Sequence, residues 1–263
     1  MKAFYRLLTE LSSSKWLSRL AGSFAKSSFS KKLIPHFIKM YGIQADEAEK
    51  AWHEYSSLND FFIRKLKPGS RPIDPDDHVF ISPVDGTLTS FGTIEDGVLL
   101  NIKGQDYDVK ELLNHSPRTV TYEQGTYFIL YLSPSDYHRI HAPISAKIVE
   151  KDHIPGRSFP VNDFGMKRVT KVLSRNERKI TYLHHPSGDV AVIKVGALNV
   201  SGIRYEESLP SFVSKGDPLA YFEFGSTVVL LVEKNMLQLN KHLEIGQHIR
   251  MGHPLGRLRS KQE

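Results

Sequence analysis

The spacing of apolar residues changes character partway along the chain. Up to about residue 66 they recur every three or four positions, and from about Val79 they alternate with polar ones. Phe4, Leu7, Leu8 and Leu11 fall at i, i+3, i+4 and i+7. Leu17, Leu20, Ala21 and Phe24 repeat that spacing after Ser12-Ser13-Ser14, which predicts amphipathic helices through most of residues 3–43. Ser14 is placed to cap the second segment, and Pro35 reads as a break near its end. Further helical turns are expected over 45–55 and 58–66, the latter opened by the capping-box-like Ser57-Leu58-Asn59-Asp60. Pro68, Gly69 and Pro72 close the helical region.

Period-2 segments follow at 79–94, 98–102, 119–132, 139–150, 179–183, 190–203, 219–224 and 227–233, and they predict strands. Turn chemistry separates them at Glu123-Gln124-Gly125, His185-Pro186-Ser187-Gly188-Asp189 and Ser214-Lys215-Gly216-Asp217. A short helix is expected over 109–113. The outline is α+β: an N-terminal helical appendage, residues 1–66, on a mainly β body, residues 67–263, built as a sandwich or partly closed barrel. No strong repeat and no long Gly/Ser linker divides that body.

Charge sharpens the reading of the appendage. The chain of 263 residues carries a formal +6. Residues 1–43 hold Lys2, Arg6, Lys15, Arg19, Lys26, Lys31, Lys32 and Lys39 against Glu10 alone, so the excess positive charge is N-terminal. Cations interleaved with an apolar helix face suit a helix lying on an anionic membrane, and packing of the same face on the body suits it equally well. A nucleic-acid partner fits poorly, because the basic segment has no platform of exposed aromatics. The chain has no cysteine, which excludes disulfides and thiol chemistry. No run of 18 apolar residues predicts a membrane span, and no signal peptide is visible. The expected location is peripheral, on the cytoplasmic face of the cell membrane.

Three places carry candidate chemistry. Ser82-Pro83-Val84-Asp85-Gly86 puts a carboxylate beside a glycine. Tyr137-His138-Arg139-Ile140-His141 holds two imidazoles three apart, and Phe224-Gly225-Ser226-Thr227 inserts a Gly-Ser step between apolar stretches. Each has an ordinary reading: a turn, two histidines on opposite strand faces, and a bulge. Opposite faces make the histidines poor joint metal ligands, and no metal site is expected. Asp85, His141 and Ser226 together could form a nucleophilic triad, but Ser226 lacks the Gly-x-Ser-x-Gly elbow. A hydroxyl directly after a Gly carbonyl also suits attack on the chain itself, by N→O acyl shift.

These segments belong to a longer ordered set. Phe61-Phe62-Ile63-Arg64, Ser82 to Gly86, Leu132-Ser133-Pro134-x-Asp136-Tyr137-His138-Arg139-x-His141-x-Pro143, Gly156-x-x-x-Pro160-Val161-Asn162, Arg175-Asn176-Glu177-Arg178 and Phe224-Gly225-Ser226-Thr227 resemble the bacterial phosphatidylserine decarboxylase family over about residues 55–233. The resemblance implies that Asp85 and His141 serve self-cleavage at Gly225-Ser226. It implies a β chain 1–225, an α chain 226–263 that stays associated with it, and Ser226 converted to a pyruvoyl cofactor. That group would form a Schiff base with phosphatidylserine in an anionic membrane and release CO2 and phosphatidylethanolamine. His138 or His141 would return the proton, with Tyr137 and Phe159 as apolar surroundings. A homodimer is compatible with this reading. The alternatives are a Ser-His-Asp lipid hydrolase that does not cut itself and a non-catalytic peripheral membrane module.

Overall fold

The computed structural model describes residues 22–102, 105–161, 169–197, 202–223 and 226–259. The apolar repeats before residue 22, Ser14, Asn162, Phe224 and Gly225 lie outside the described residues.

The helical region is shorter-grained than its periodicity suggests. Pro35 opens α1 (Ile34–Tyr41) instead of breaking it: in a first helical turn the missing N–H has no partner to lose, and the fixed φ is already helical. Gly42 ends α1 in the left-handed region at φ 64°, with its N–H on the Ile38 carbonyl. The stretch expected to be helical over 45–55 is two single 3-10 turns, Ala45–Glu47 and Trp52–Glu54. In α2 (Leu58–Phe62) the Ser57 hydroxyl accepts the Asp60 N–H at 3.1 Å, the cap read from sequence. Phe61 packs with Ile34, Ile43, Ala48 and Tyr55 in a small core. Two one-turn helices follow in the body, α3 (Val109–Leu112) and α4 (Val172–Arg175).

The body is mainly β, as expected. In chain order the described strands are β1 (Val79–Ile81), β2 (Gly86–Thr93), β3 (Val98–Ile102), β4 (Gln105–Asp108), β5 (Thr126–Leu132), β6 (Arg139–His141), β7 (Ala146–Ile154) and β8 (Arg178–His185). They continue with β9 (Gly188–Gly196), β10 (Ile203–Tyr205), β11 (Phe212–Val213), β12 (Pro218–Phe222), β13 (Ser226–Val232), β14 (Leu237–Leu239), β15 (His248–Ile249) and β16 (Pro254–Leu258). Eight form one antiparallel sheet in the order β11-β7-β8-β9-β13-β5-β2-β15. Smaller sheets run β10-β12-β6 and β1-β16-β14, beside the β3-β4 hairpin. The outer strands of the large sheet do not pair with each other, so no barrel closes among the described residues.

Several long period-2 segments are divided by turn chemistry. The 79–94 segment breaks where the Ser82 hydroxyl donates to the Val84 carbonyl at 2.7 Å. The 139–150 segment splits at Pro143, sending β6 and β7 to different sheets. Residues 117–122 are a 3-10 helix, started by Ser116 and Pro117.

Both faces of the large sheet are covered. Val228, Leu230 and Val232 enter one core with Phe128, Leu130, Ile140, Ala220 and Phe222, so this face lies under the β10-β12-β6 sheet. Val229 and Leu231 enter the other, with Ile129, Tyr182 and Ile193. That two-sided burial explains why β13 is apolar at nearly every position. Leu230→Ala should therefore cost about 2–5 kcal/mol of stability, measured by denaturant unfolding; a loss below about 1 kcal/mol would contradict this placement.

Candidate active site

Ser226 is the first residue of β13, in the middle of the large sheet, opposite Leu132 of β5 and Gly196 of β9. By strand alternation its side chain shares a face with Val228, Leu230 and Val232, the face under the small sheet that carries β6. It is fully buried, and its Oγ has no hydrogen-bond partner among the described residues. A buried hydroxyl without a partner is uncommon and asks for a reason.

The two histidines sit differently. In the β6-β12 ladder Ile140 faces Ala220 and Arg139 faces Tyr221. The His138 carbonyl continues it by accepting the Phe222 N–H at 2.9 Å. His138 thus lies level with Phe222, four residues before Ser226. It is wholly buried, with Nδ1 2.9 Å from the Asp136 carbonyl and the Phe62 ring centroid 4.1 Å from its own. Its Nε2 has no partner among the described residues. His141 is fully engaged: Nδ1 is 2.7 Å from the Gly216 carbonyl and Nε2 is 3.1 Å from the Tyr137 hydroxyl. A carbonyl can only accept, so Nδ1 carries the proton and Nε2 accepts from Tyr137. Burial lowers both imidazoles to about 4, so both are neutral bases at pH 7. Burial also raises Tyr137, which stays protonated.

Asp85 immediately precedes β2. Its neighbour Gly86 packs so tightly on β5 that a Cβ would sit 2.6 Å from the Tyr131 carbonyl. Thr87 faces Tyr131, and the next residue of β5, Leu132, faces Ser226. Asp85 and Ser226 therefore flank the same end of β5, with their backbones two strand spacings apart, roughly 10 Å. The turn before Asp85 is laced to β6, because the His141 N–H donates to the Pro83 carbonyl at 2.9 Å.

The Asp85 carboxylate itself faces another way. It accepts Nε and Nη2 of Arg71 at 2.9 and 2.5 Å and the Met251 amide at 2.8 Å. Burial opposes charge on Arg71, but Asp85 and Glu47 outweigh it and raise the guanidinium. Asp85, His141 and Ser226 are thus gathered around one end of β5 without forming a hydrogen-bonded triad. Tyr137, expected to be an apolar wall, instead caps the base nitrogen of His141. Phe159 packs in the core on the opposite face of the sheet.

A polar cleft of about 240 Å³ opens beside these groups, lined by Glu47, Arg64, Arg71, Asp85, Asp136, Tyr137, His248 and Arg250 among others. At its rim His248 Nε2 lies 2.8 Å from Asp136, which raises the imidazole. Arg71, Arg250 and His248 gave no signal in the sequence, because isolated cations on loops and a two-residue strand have no informative spacing.

Comparison with known proteins adds an independent line. Residues 58–257 match the family model for phosphatidylserine decarboxylase. The chain is 41% identical over 251 residues to proteins described as phosphatidylserine decarboxylase proenzyme from Bacillus thuringiensis subsp. konkukian (strain 97-27), Bacillus cereus (strain ZK / E33L) and Bacillus mycoides (strain KBAB4). In each case 95% of both chains is covered.

Burial of neutral histidines makes stability depend on pH. The unfolded chain protonates His138 and His141 near the ordinary value of 6.5, whereas the folded chain does so only near 4. Their stabilising effect is complete above 6.5 and falls by about 1.4 kcal/mol per pH unit per histidine on acidification towards 4. The raised His248 acts in the opposite sense but is half-exposed, so its contribution is smaller. Unfolding midpoints should drop between pH 7 and 5, and should drop less in His138→Gln. A flat profile would contradict neutral burial.

Proposed function

The chain belongs to the phosphatidylserine decarboxylase family, and on that premise we propose that it decarboxylates phosphatidylserine through a group made from its own Ser226. The observation that carries the reading is the buried, unbonded hydroxyl of Ser226 at the head of a strand fixed on both edges.

Self-processing requires only what the chain supplies. The Ser226 Oγ attacks the Gly225 carbonyl, the C–N bond breaks, its nitrogen takes the hydroxyl proton, and an ester joins the two residues. A base then removes the Cα proton of residue 226, and β-elimination expels the Gly225 carboxylate. The remaining enamine takes up water and loses ammonia. His138 and His141 are both neutral and placed around this end of β5, so either satisfies the requirement for a base at pH 7. His141 with Asp85 is the pair the family resemblance favours, and Tyr137 keeps the His141 lone pair aligned. Asp85→Asn and His141→Ala should leave the chain folded and slow self-cleavage by on the order of 100-fold or more, seen as persistence of the full-length band. Normal cleavage in both would contradict their assignment.

A pyruvoyl group at position 226 would supply a ketone that condenses with the serine amine and draws off the electrons released with CO2. The surrounding apolar core excludes water from that position. The uncapped Nε2 of His138 is a bare lone pair, free to take up a proton and hand it back there.

The described part of the N-terminal region, residues 22–66, supports docking to a membrane that holds the lipid. Phe29 is 75% exposed, with Phe24, Leu33, Met40 and Trp52 also exposed, beside Lys26, Lys31, Lys32 and Lys39. No described helix is long and apolar enough to cross a membrane. The exposed apolar and basic side chains support attachment at the interface, on the cytoplasmic face. Phe29→Glu should weaken sedimentation with vesicles of anionic lipid, and salt well above 0.1 M should weaken it in the parent chain. Salt-independent binding would contradict the electrostatic part.

The direct test is CO2 release from carboxyl-labelled phosphatidylserine in mixed vesicles. The parent chain should release label, and prior treatment with a hydrazine should abolish release by capping the ketone. Release that persists after hydrazine would contradict the self-made carbonyl.

A further inference from the structure

Among the described residues, Arg64 is the one charged group lining the cleft that has no ion-pair partner. Around it, Arg71 pairs with Asp85 and Glu47, Arg250 with Glu47 at 3.1 Å, and His248 with Asp136. Every carboxylate that lines the cleft is thereby committed. Arg64 is only 4% exposed, and neither its Nε nor its Nη1 has a hydrogen-bond partner among the described residues. The side chain's single hydrogen bond among the described residues is a long one, Nη2 to the Ser135 carbonyl at 3.3 Å. Its hydrocarbon and guanidinium lie against the Phe61 ring, 5.1 Å from the centroid. Burial lowers its proton affinity, but an arginine keeps its charge. A buried guanidinium with two idle donors is costly unless an anion completes it.

Its place in the fold narrows which anion. Arg64 follows α2, whose Phe62 ring packs on His138, and its one bond goes to the Ser135–His138 loop. It therefore lines the cleft from a buried position, two residues from the ring that packs on His138. Resting on the decarboxylase reading, we propose that Arg64 binds the phosphodiester of the lipid head group, giving up the weak Ser135 contact for a forked charge-assisted pair. The carboxylate of the serine is the less suitable partner. A guanidinium gripping it would stabilise the charge that must leave as CO2, and so would favour the ground state over the transition state. The phosphate persists unchanged from substrate to product, so a fixed cation for it orients the head group without opposing the reaction.

The test is calorimetric binding of two soluble head groups to the purified, processed protein: glycerophosphoserine, and glycerophosphoethanolamine, which lacks the carboxylate. Arg64→Gln should weaken both by roughly 10- to 100-fold, and Arg64→Lys should recover part of that loss, since a point charge replaces the fork. In the vesicle assay the same variants should raise KM more than they lower kcat. Thermal unfolding of each variant reports its fold, and Arg64→Lys carries the test if the Gln variant is unstable. Selective loss of glycerophosphoserine binding would assign Arg64 to the carboxylate and overturn the proposal. Unchanged affinity in a folded variant, or no binding of glycerophosphoethanolamine by the parent chain, would overturn it too. Head-group binding that depends on Arg64 in a protein that releases no CO2 would leave the inference standing and refute the activity instead.

Discussion

The pairing of β13 along its whole length is the constraint from which the rest follows. From Ser226 to Val232 every residue has a partner on β5 and another on β9, while its side chains feed a core on each face of the sheet. A strand held on four sides would not drift if the peptide bond before its first residue were broken. The segment after it is woven in as well: β14 and β16 join β1 in one sheet, and β15 completes the edge of the large sheet beside β2. A chain beginning at residue 226 would remain in place through these ladders, which is what a cofactor formed at a chain end requires.

Burial leaves several polar groups of the same site incomplete. Ser226 Oγ, His138 Nε2 and the Nε and Nη1 of Arg64 all lack partners among the described residues. Folded proteins complete most such groups, and leaving several open near one cleft opposes stability. Each has a counterpart in the proposed chemistry: a carbonyl to attack, a proton to take up and return, a phosphate to hold. Groups the site does not leave open, such as Asp85 on Arg71 and His141 between Tyr137 and Gly216, are held by geometry that fixes their direction.

The mainly β body with a helical N-terminal region was legible from apolar spacing, and so was the Ser57 cap. What spacing misjudged were places where local side-chain chemistry overrides periodicity. Pro35 reads as a break until its position in a first turn is known, and the turns at Ser82 and Pro143 divide segments that alternate without interruption. The strands β4, β11, β14, β15 and β16, and all of β10 but Ile203, escaped because runs of two to five residues carry little period-2 signal. Asp85, His138, His141 and Ser226 were legible as chemical types, and the structure brings their backbones to one end of β5. The ion pair of Asp85 with Arg71, the Tyr137 cap on His141 and the isolation of Arg64 depend on residues brought together by the fold from distant parts of the chain, which no local pattern encodes.

The central claim is that Ser226 becomes the reacting group, and intact mass spectrometry of the purified protein beside Ser226→Ala tests it most directly. The account predicts two chains from the parent, 1–225 and 226–263, with the smaller lighter than its plain peptide by one ammonia, and a single uncut mass from the variant. A single mass of 29.9 kDa from both would contradict it.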